Sequence, residues 1–375
     1  MHLRARLTLV AHAPRPSLWL ALTDPEGRTG AGEASPLPPF SREPFEACAR
    51  ALEAFAARLV TVDARGPADN SEPSVAVQAI SASLAAAAEF AVALAAAPAA
   101  RFAVETALSD LLAQRRGCSV AELLGGARPY DVVPVNGLLI ASAAAPDALA
   151  DQAADLAASG LTAIKIKLRA RDEAGFQAEL AALRAVRERL PLPFELRLDP
   201  NAAWTLPEAR RRLAQLAPIA PRYVEQPVAP HELLALGRAA LPWAADESLT
   251  DPAIAEALLA SEGCAAFVIK PHVLGLLRAR ELAVRAQERG LDVVVTHFFD
   301  GPVAMAAAAE LALSLPRAPL ASGLDRHPGL ADWPDVAIPQ LAQRGFVRPS
   351  GAAGLGLSLP GGMRASRDPT GPASS

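Results

Sequence analysis

The sequence predicts an α/β fold in which an N-terminal α+β domain precedes a closed barrel of parallel strands. Two observations carry this. Near residue 130 the texture of the chain changes, and from there short apolar runs alternate with amphipathic helical stretches seven or eight times. Such an alternation within roughly 200 residues has few solutions, of which a closed barrel is the commonest. An open doubly wound sheet would bring a glycine-rich phosphate turn after an early strand, and no Gly-x-Gly-x-x-Gly occurs.

The elements follow in order. Leu3 to Leu7 and Leu18 to Leu22 alternate as strands, with Asp24-Pro25-Glu26-Gly27 as a turn, so a hairpin or meander opens the chain. Gly30 to Ser41 reads as a proline-rich loop, followed by a helix from about Glu43 to Leu59 and alanine-rich helical segments to about Arg116. Gly125-Gly126 is a glycine stop. The expected barrel strands are Val132–Leu139, Ala163–Leu168, Glu195–Leu198, Tyr223–Glu225, Trp243–Asp246, Ala266–Ile269, Asp292–Val295 and Leu320–Ser322. Helices are expected between them, at Pro146–Ala158, Asp172–Arg189, Leu206–Ala217 and Leu277–Arg289.

The bulk composition narrows the function. The chain has 375 residues, 51% of them hydrophobic, which is enough for a barrel and a smaller companion. A net charge of -4 carries no nucleic-acid signature. Cys48, Cys118 and Cys264 are far apart, in neither a disulfide framework nor a zinc-ligand spacing. The opening residues have no signal-peptide core. Ala82 to Ala100 is nearly all small and apolar, but it holds Glu89 and Pro98 and reads as a buried helix rather than a membrane span. A cytoplasmic enzyme acting on a small molecule, away from nucleic acid and membrane, is the expectation.

Charged residues close several apolar strands. Asp199 follows Leu196-Arg197-Leu198, Glu225 follows Tyr223-Val224, and Asp246 follows Ala244-Ala245. They are 26 and 21 residues apart, about one strand–helix unit each. C-terminal strand ends converge on one barrel mouth, so three carboxylates would meet there. Barrel mouths carry polar residues without binding metal, but three carboxylates in register form an oxygen-ligand set that suits Mg²⁺ better than zinc. In Ala163-Ile164-Lys165-Ile166-Lys167-Leu168 the lysines share one face and the isoleucines the other. Two surface lysines on an edge strand would look the same. Lys270, which ends the run Ala266-Phe267-Val268-Ile269 one unit after Asp246, favours the barrel mouth instead. A proton α to a carboxylate is a far weaker acid than an ammonium of pKa ~10.4. A lysine can take it only where a cation stabilises the enediolate that forms, and neighbouring ammonium groups favour a neutral lysine.

These residues, with the surrounding words Leu198-Asp199-Pro200-Asn201, Val224-Glu225-Gln226-Pro227, Asp246-Glu247-Ser248-Leu249 and Val268-Ile269-Lys270-Pro271, resemble the muconate-lactonising branch of the enolase superfamily. Within it, Gly32-Glu33-Ala34-Ser35-Pro36-Leu37-Pro38-Pro39-Phe40-Ser41 and Ser322-Gly323-Leu324-Asp325 are similar to segments of o-succinylbenzoate synthases. The resemblance implies an α+β capping domain over residues 1–125 and a modified (β/α)7β, TIM-like barrel over 126–330. Residues 331–375 would return to the capping domain and end in a disordered tail. It implies Lys167 as the base, Lys165 as its electrostatic neighbour and Lys270 as the cation that stabilises the enediolate. Asp199, Glu225 and Asp246 would bind Mg²⁺ (with Mn²⁺ a possible substitute), supported by Asn201 and Glu247. Pro38, Phe40, Ser41, Thr296, His297, Ser322 and Gly323 are the implied substrate contacts, although His297 reads more readily as a structural, hydrogen-bonded histidine.

The implied reaction is dehydration of 2-succinyl-6-hydroxy-2,4-cyclohexadiene-1-carboxylate to o-succinylbenzoate, a step toward menaquinone. Racemisation of N-succinylamino acids, cycloisomerisation and dipeptide epimerisation use the same scaffold. Dipeptide epimerases usually carry an Asp-x-Asp where this chain has only Asp300. A barrel that binds a small acid without turning it over is the rival of another class, and it has no use for an organised base. Oligomeric state stays open, as either a monomer or a homo-oligomer.

Overall fold

A computed structural model describes residues 3–10, 13–38, 40–58, 88–126, 130–141 and 146–360. Part of the alanine-rich stretch before Ala88, Pro39 of the proline-rich loop and the C-terminal tail lie outside these residues.

The chain opens as a three-stranded antiparallel meander, β1 (Arg4–Leu9), β2 (Leu18–Thr23) and β3 (Thr29–Ala34), in that order. Against β3 lies the long helix Pro98–Arg116, with proline at its start, where a missing N–H costs nothing, and left-handed Gly117 at its end. The contact is close because β3 has glycines: a Cβ at Gly30 or Gly32 would collide with the carbonyls of Ala107 and Ala103. Helix Phe45–Arg58 follows the proline-rich loop. The alanine-rich stretch is helical over Ala88–Ala96 and again from Pro98, so proline divides it. No described helix is long and apolar enough to cross a membrane.

The barrel is a parallel sheet of seven strands: β5 (Gly137–Ile140), β6 (Ala163–Lys167), β7 (Glu195–Asp199), β8 (Val224–Glu225), β9 (Trp243–Ala245), β10 (Cys264–Ile269) and β11 (Asp292–Val295). The expected last strand at Leu320–Ser322 is not a regular strand but a bridging segment. Leu320 and Gly323 donate backbone N–H groups to Val293 and Val295 on one side. On the other side Ser322 N–H donates to Pro134 O, and Asn136 N–H donates to Ser322 O, which closes the ring. The expected strand Val132–Leu139 also differs. Its first part, β4 (Val133–Pro134), pairs antiparallel with β12 (Phe346–Val347) while also meeting the closing segment, and its second part, β5, pairs with β6.

Alternation decides which residues face inward. Ile164, Ile166, Leu196, Leu198, Phe267 and Ile269 belong to the large core between barrel and helices. Tyr223, Ala244, Ala266, Val268 and Val294 form a separate small core inside the ring, with Leu320 against it. Burying these side chains contributes about 25 cal/mol per Å² of apolar surface. Lys165, Lys167 and Asp199 are in register with each other's strands and share the inward parity. The segment after residue 331 reaches the N-terminal domain, where Leu355 N–H donates to buried Asp110 and Gly354 bridges to Ser119.

Candidate active site

The C-terminal ends of β6 to β10 bring together Lys165, Lys167, Asp199, Glu225, Asp246 and Lys270. Asp199, Glu225 and Asp246 are all buried. Lys165 Nζ donates to Glu225 Oε1 at 2.8 Å and lies 3.2 Å from Asp199 Oδ2. Lys270 Nζ pairs with Asp246 Oδ2 and sits 5.5 Å over the ring of Phe298. The side chain of Lys167 has no hydrogen bond or ion pair among the described residues, although Asp199 is its register partner.

Electrostatics separate the three lysines. Burial alone would favour the neutral amine of Lys165, but Glu225, Asp199 and Asp246 hold it well above the ordinary range. For Lys270, Asp246 and Glu247 likewise overcome burial. Lys167 moves the other way: burial lowers it, Asp199 opposes this, and the Lys165 and Lys270 ammonium groups push it further down. Among the carboxylates, Asp199 is lowered because three lysines outweigh its burial. Glu225 is pushed up to about 8 by burial and by Asp199.

Asn201 and Glu247 join this cluster. Asn201 is left-handed, at φ 50°, a conformation asparagine tolerates. Its backbone N–H donates to Asp199 at 2.9 Å, and its side-chain amide spans Asp199 and Glu247 at 3.3 Å each. Glu247 Oε2 is buried without a partner among the described residues, and burial together with Asp246 pushes the carboxyl up to about 7. The pattern of charged strand ends did not single out Gln226. Its Oε1 accepts from the Asp246 and Ser248 N–H groups, and its Nε2 donates to Ser248 Oγ and Val228 O, tying the β8 and β9 ends together. Arg197 was missed as well. It lies one layer deeper beside Lys165, buried, with its guanidinium 5.5 Å over Tyr223 and bonded to Ala321 O and Glu195. Only the inward parity it shares with Asp199 signals it in the sequence.

Among the described residues no three Asp, Glu, His or Cys side chains converge as ready-made metal ligands. Lysine ammonium groups sit between the carboxylates instead. The donor chemistry nonetheless fits a hard divalent cation. Buried carboxylates crowd until Glu225 and Glu247 resist ionisation, and Glu247 keeps one oxygen with nothing to accept from.

The residues implied as substrate contacts divide. Phe40 is 51% exposed and meets Phe298 edge to face at 6.0 Å. Ser41 is turned into its own loop, where Oγ accepts from Leu37 N–H, and Pro38 is exposed there. Thr296 Oγ1 donates to the His297 and Gly323 carbonyls, and Ser322 Oγ donates to Leu320 O and accepts from Val295 N–H. Gly323 leaves room for Thr296, whose side chain a Cβ there would strike. Both ring nitrogens of His297 are engaged, Nδ1 by Phe299 N–H and Nε2 by Asp325 O, and burial lowers the ring to about 4. These four residues hold the loop and close the ring. Beside them Asp300 lies 3.0 Å from His272 and 3.3 Å from Arg15, while Glu33 of β3 accepts N–H groups from Gly301 and Val303. The N-terminal domain thereby caps the first turn of the helix Pro302–Leu313.

A family model described as Enolase C-terminal domain-like matches residues 148–361. The chain belongs to the enolase superfamily. An o-succinylbenzoate synthase from Desulfotalea psychrophila is 30% identical over 311 residues, 78% of this chain and 82% of that protein. One from Thermobifida fusca is 36% identical over 211 residues, 55% of this chain and 64% of that protein, so the chain spans under two thirds of its length. A dipeptide epimerase from Methylococcus capsulatus, solved in complex with Mg ion, has a TM-score of 0.75 at 27% identity and covers 96% of this chain and 99% of that one. This superfamily member shares with it the whole two-part architecture.

Proposed function

We propose that this chain dehydrates 2-succinyl-6-hydroxy-2,4-cyclohexadiene-1-carboxylate to o-succinylbenzoate in the cytoplasm, on the way to menaquinone. Asp199, Glu225 and Asp246 would hold Mg²⁺, with Mn²⁺ a possible substitute, and Asn201 and Glu247 would support them. When bound, the metal supplies positive charge against the negative charge that builds on the substrate carboxylate. The observation that carries the reading is the difference among the lysines: Lys165 and Lys270 are paired cations, and the Lys167 side chain beside them has no ion-pair partner among the described residues and is driven toward the neutral amine. Lys167 Nζ takes the α-proton. The electron pair left on carbon becomes the enediolate, then forms the ring double bond as the 6-hydroxyl departs with the proton Lys167 has taken, leaving as water. Lys270 remains an ammonium and faces the developing charge from across the ring. Similarity to two o-succinylbenzoate synthases supports this substrate over others in the superfamily.

The test is direct. Purified protein, Mg²⁺ and the cyclohexadiene are mixed, and aromatisation is followed by ultraviolet absorbance with EDTA as control. EDTA-sensitive aromatisation is the expected result; no reaction while metal still binds would overturn the dehydratase assignment. A second reading, racemisation or epimerisation, is favoured by one observation. β6 and β10 stand four places apart in the ring of eight, so Lys167 and Lys270 face each other across the mouth. Under that reading Lys270→Ala stops racemisation of an N-succinylamino acid but leaves Lys167-dependent deuterium exchange of one enantiomer.

A further inference from the structure

The first barrel strand differs from its neighbours at the mouth. Where β6 to β10 end in lysines and carboxylates, β5 presents Leu138 and Ile140. Their direction is fixed by two observations. Leu138 is in register with Lys165 and Ile140 with Lys167, so the four side chains share the inner face. The alternate residues face outward: a Cβ at Gly137 would meet Leu156, Leu161 and Ile164, and Leu139 packs against the outer core. Leu138 is 40% exposed and Ile140 51% exposed, although the interior just below is a closed core of Tyr223, Ala244, Ala266, Val268 and Val294. Two large aliphatic side chains at the rim of a packed barrel thus border open space beside Lys167. Across the mouth, next to Lys270, stand Phe298 and the half-exposed Phe40.

We infer that Leu138 and Ile140 form a specificity wall, an apolar face on which the non-reacting body of the substrate lies while its α-carbon meets Lys167. The inference deepens the proposed function and rests on its choice of Lys167 as the base. Leu138 and Ile140 have no side-chain donor or acceptor, so a polar group on that side of the ligand loses its water and gains nothing. An apolar ring covers both side chains and releases the water on them. The class selected is a carboxylate with a carbocyclic or otherwise apolar body, in preference to one carrying a polar or charged side chain.

A matched pair of ligands tests this without turnover. Binding of cyclohexanecarboxylate and of tetrahydropyran-4-carboxylate, equal in shape but for one ring oxygen, is measured by ligand-observed NMR on the full chain with Mg²⁺. Wild type is expected to bind the carbocycle at least about fivefold tighter, and the Leu138→Thr/Ile140→Thr variant to cut that ratio about threefold or more. A wild type that binds the carbocycle no better than its ether, or not at all, overturns the wall. An unchanged ratio in the variant does the same. Ile140→Phe, which keeps the site apolar but fills it, should lose cyclohexanecarboxylate and keep acetate; equal retention of both also counts against the wall. The dehydration assay on wild type is read separately. A lost preference with dehydration intact sinks only the wall, whereas an intact preference without dehydration sinks only the dehydratase reading.

Discussion

The ends of β7, β8 and β9, and the loop after β11 together with the closing segment at Ser322, place polar side chains at the same mouth, and they use them in opposite ways. In the first region Asp199, Glu225 and Asp246 are buried with the half-buried Glu247 beside them; burial and neighbouring carboxylates push Glu225 and Glu247 up, and Glu247 Oε2 has no donor among the described residues. In the second, Thr296, His297 and Ser322 each have their side chains engaged by nearby backbone. A polar residue at a barrel mouth is therefore a weak sign of function by itself. Unmet electrostatic demand is the better sign, because burying charges without full partners costs several kcal/mol and nothing in the fold requires it.

Substitutions can break or sharpen this contrast. The largest expected effect is on Lys167→Ala, which should lower kcat about 10²–10⁴-fold while thermal unfolding and Mg²⁺ binding by calorimetry stay close to wild type. A near-normal rate would remove Lys167 from the role of base. Glu225→Gln should abolish metal-dependent activity yet raise the metal-free Tm at pH 8 by roughly 3–5 °C. The sign follows from linkage. The raised Glu225 carboxyl favours folding of its protonated form, so wild type loses stability as pH rises from about 4.5 to about 8, and the glutamine variant lacks that loss. The advantage should therefore shrink toward pH 5, and a variant less stable than wild type at both pH values would contradict the crowding argument.

In the structural region the expected changes are smaller and fall on stability. Ser322→Ala removes the hydroxyl's bond to Val295 N–H on β11 and its bond to Leu320 O within the closing segment, and should cost about 1–2 kcal/mol in urea unfolding, with KM within about twofold. A selective rise in KM would return Ser322 to the substrate. His297 supplies the finest test. Its folded pKa of about 4 is depressed, so the unfolded chain binds the extra proton as pH falls from about 6.5 to about 4, and stability is lost through that window. His297→Phe should flatten that part of the stability–pH curve, and an unchanged slope would mean the ring is not held neutral by the fold.

Much of this was legible beforehand because two periodicities are local. Alternation in Ala163 to Leu168 puts Lys165 and Lys167 on one face whatever lies around them, and unit-length spacing puts Asp199, Glu225, Asp246 and Lys270 at equivalent strand ends. Arg197 has the same parity but sits mid-strand, so nothing local distinguishes it from an outward-leaning arginine. Gln226 stands beside Glu225, and its value as a clamp appears only when Asp246 and Ser248 are brought to it.

By itself, then, the sequence determined the two-part architecture, the order of strand–helix units and the residues available at the mouth, since each depends on side-chain period and unit length. Only the tertiary structure decided that the side chains of Lys165 and Lys270 have ion-pair partners and that the side chain of Lys167 has none among the described residues. It also decided that the side chains of Thr296, His297 and Ser322 are hydrogen-bonded to nearby backbone and that Leu138 and Ile140 border open space. Those outcomes depend on contacts between residues far apart in the chain, such as Lys165 with Glu225 and Ser322 with Pro134. Burial and partner count belong to such contacts, and they set the charge state and accessibility of each group.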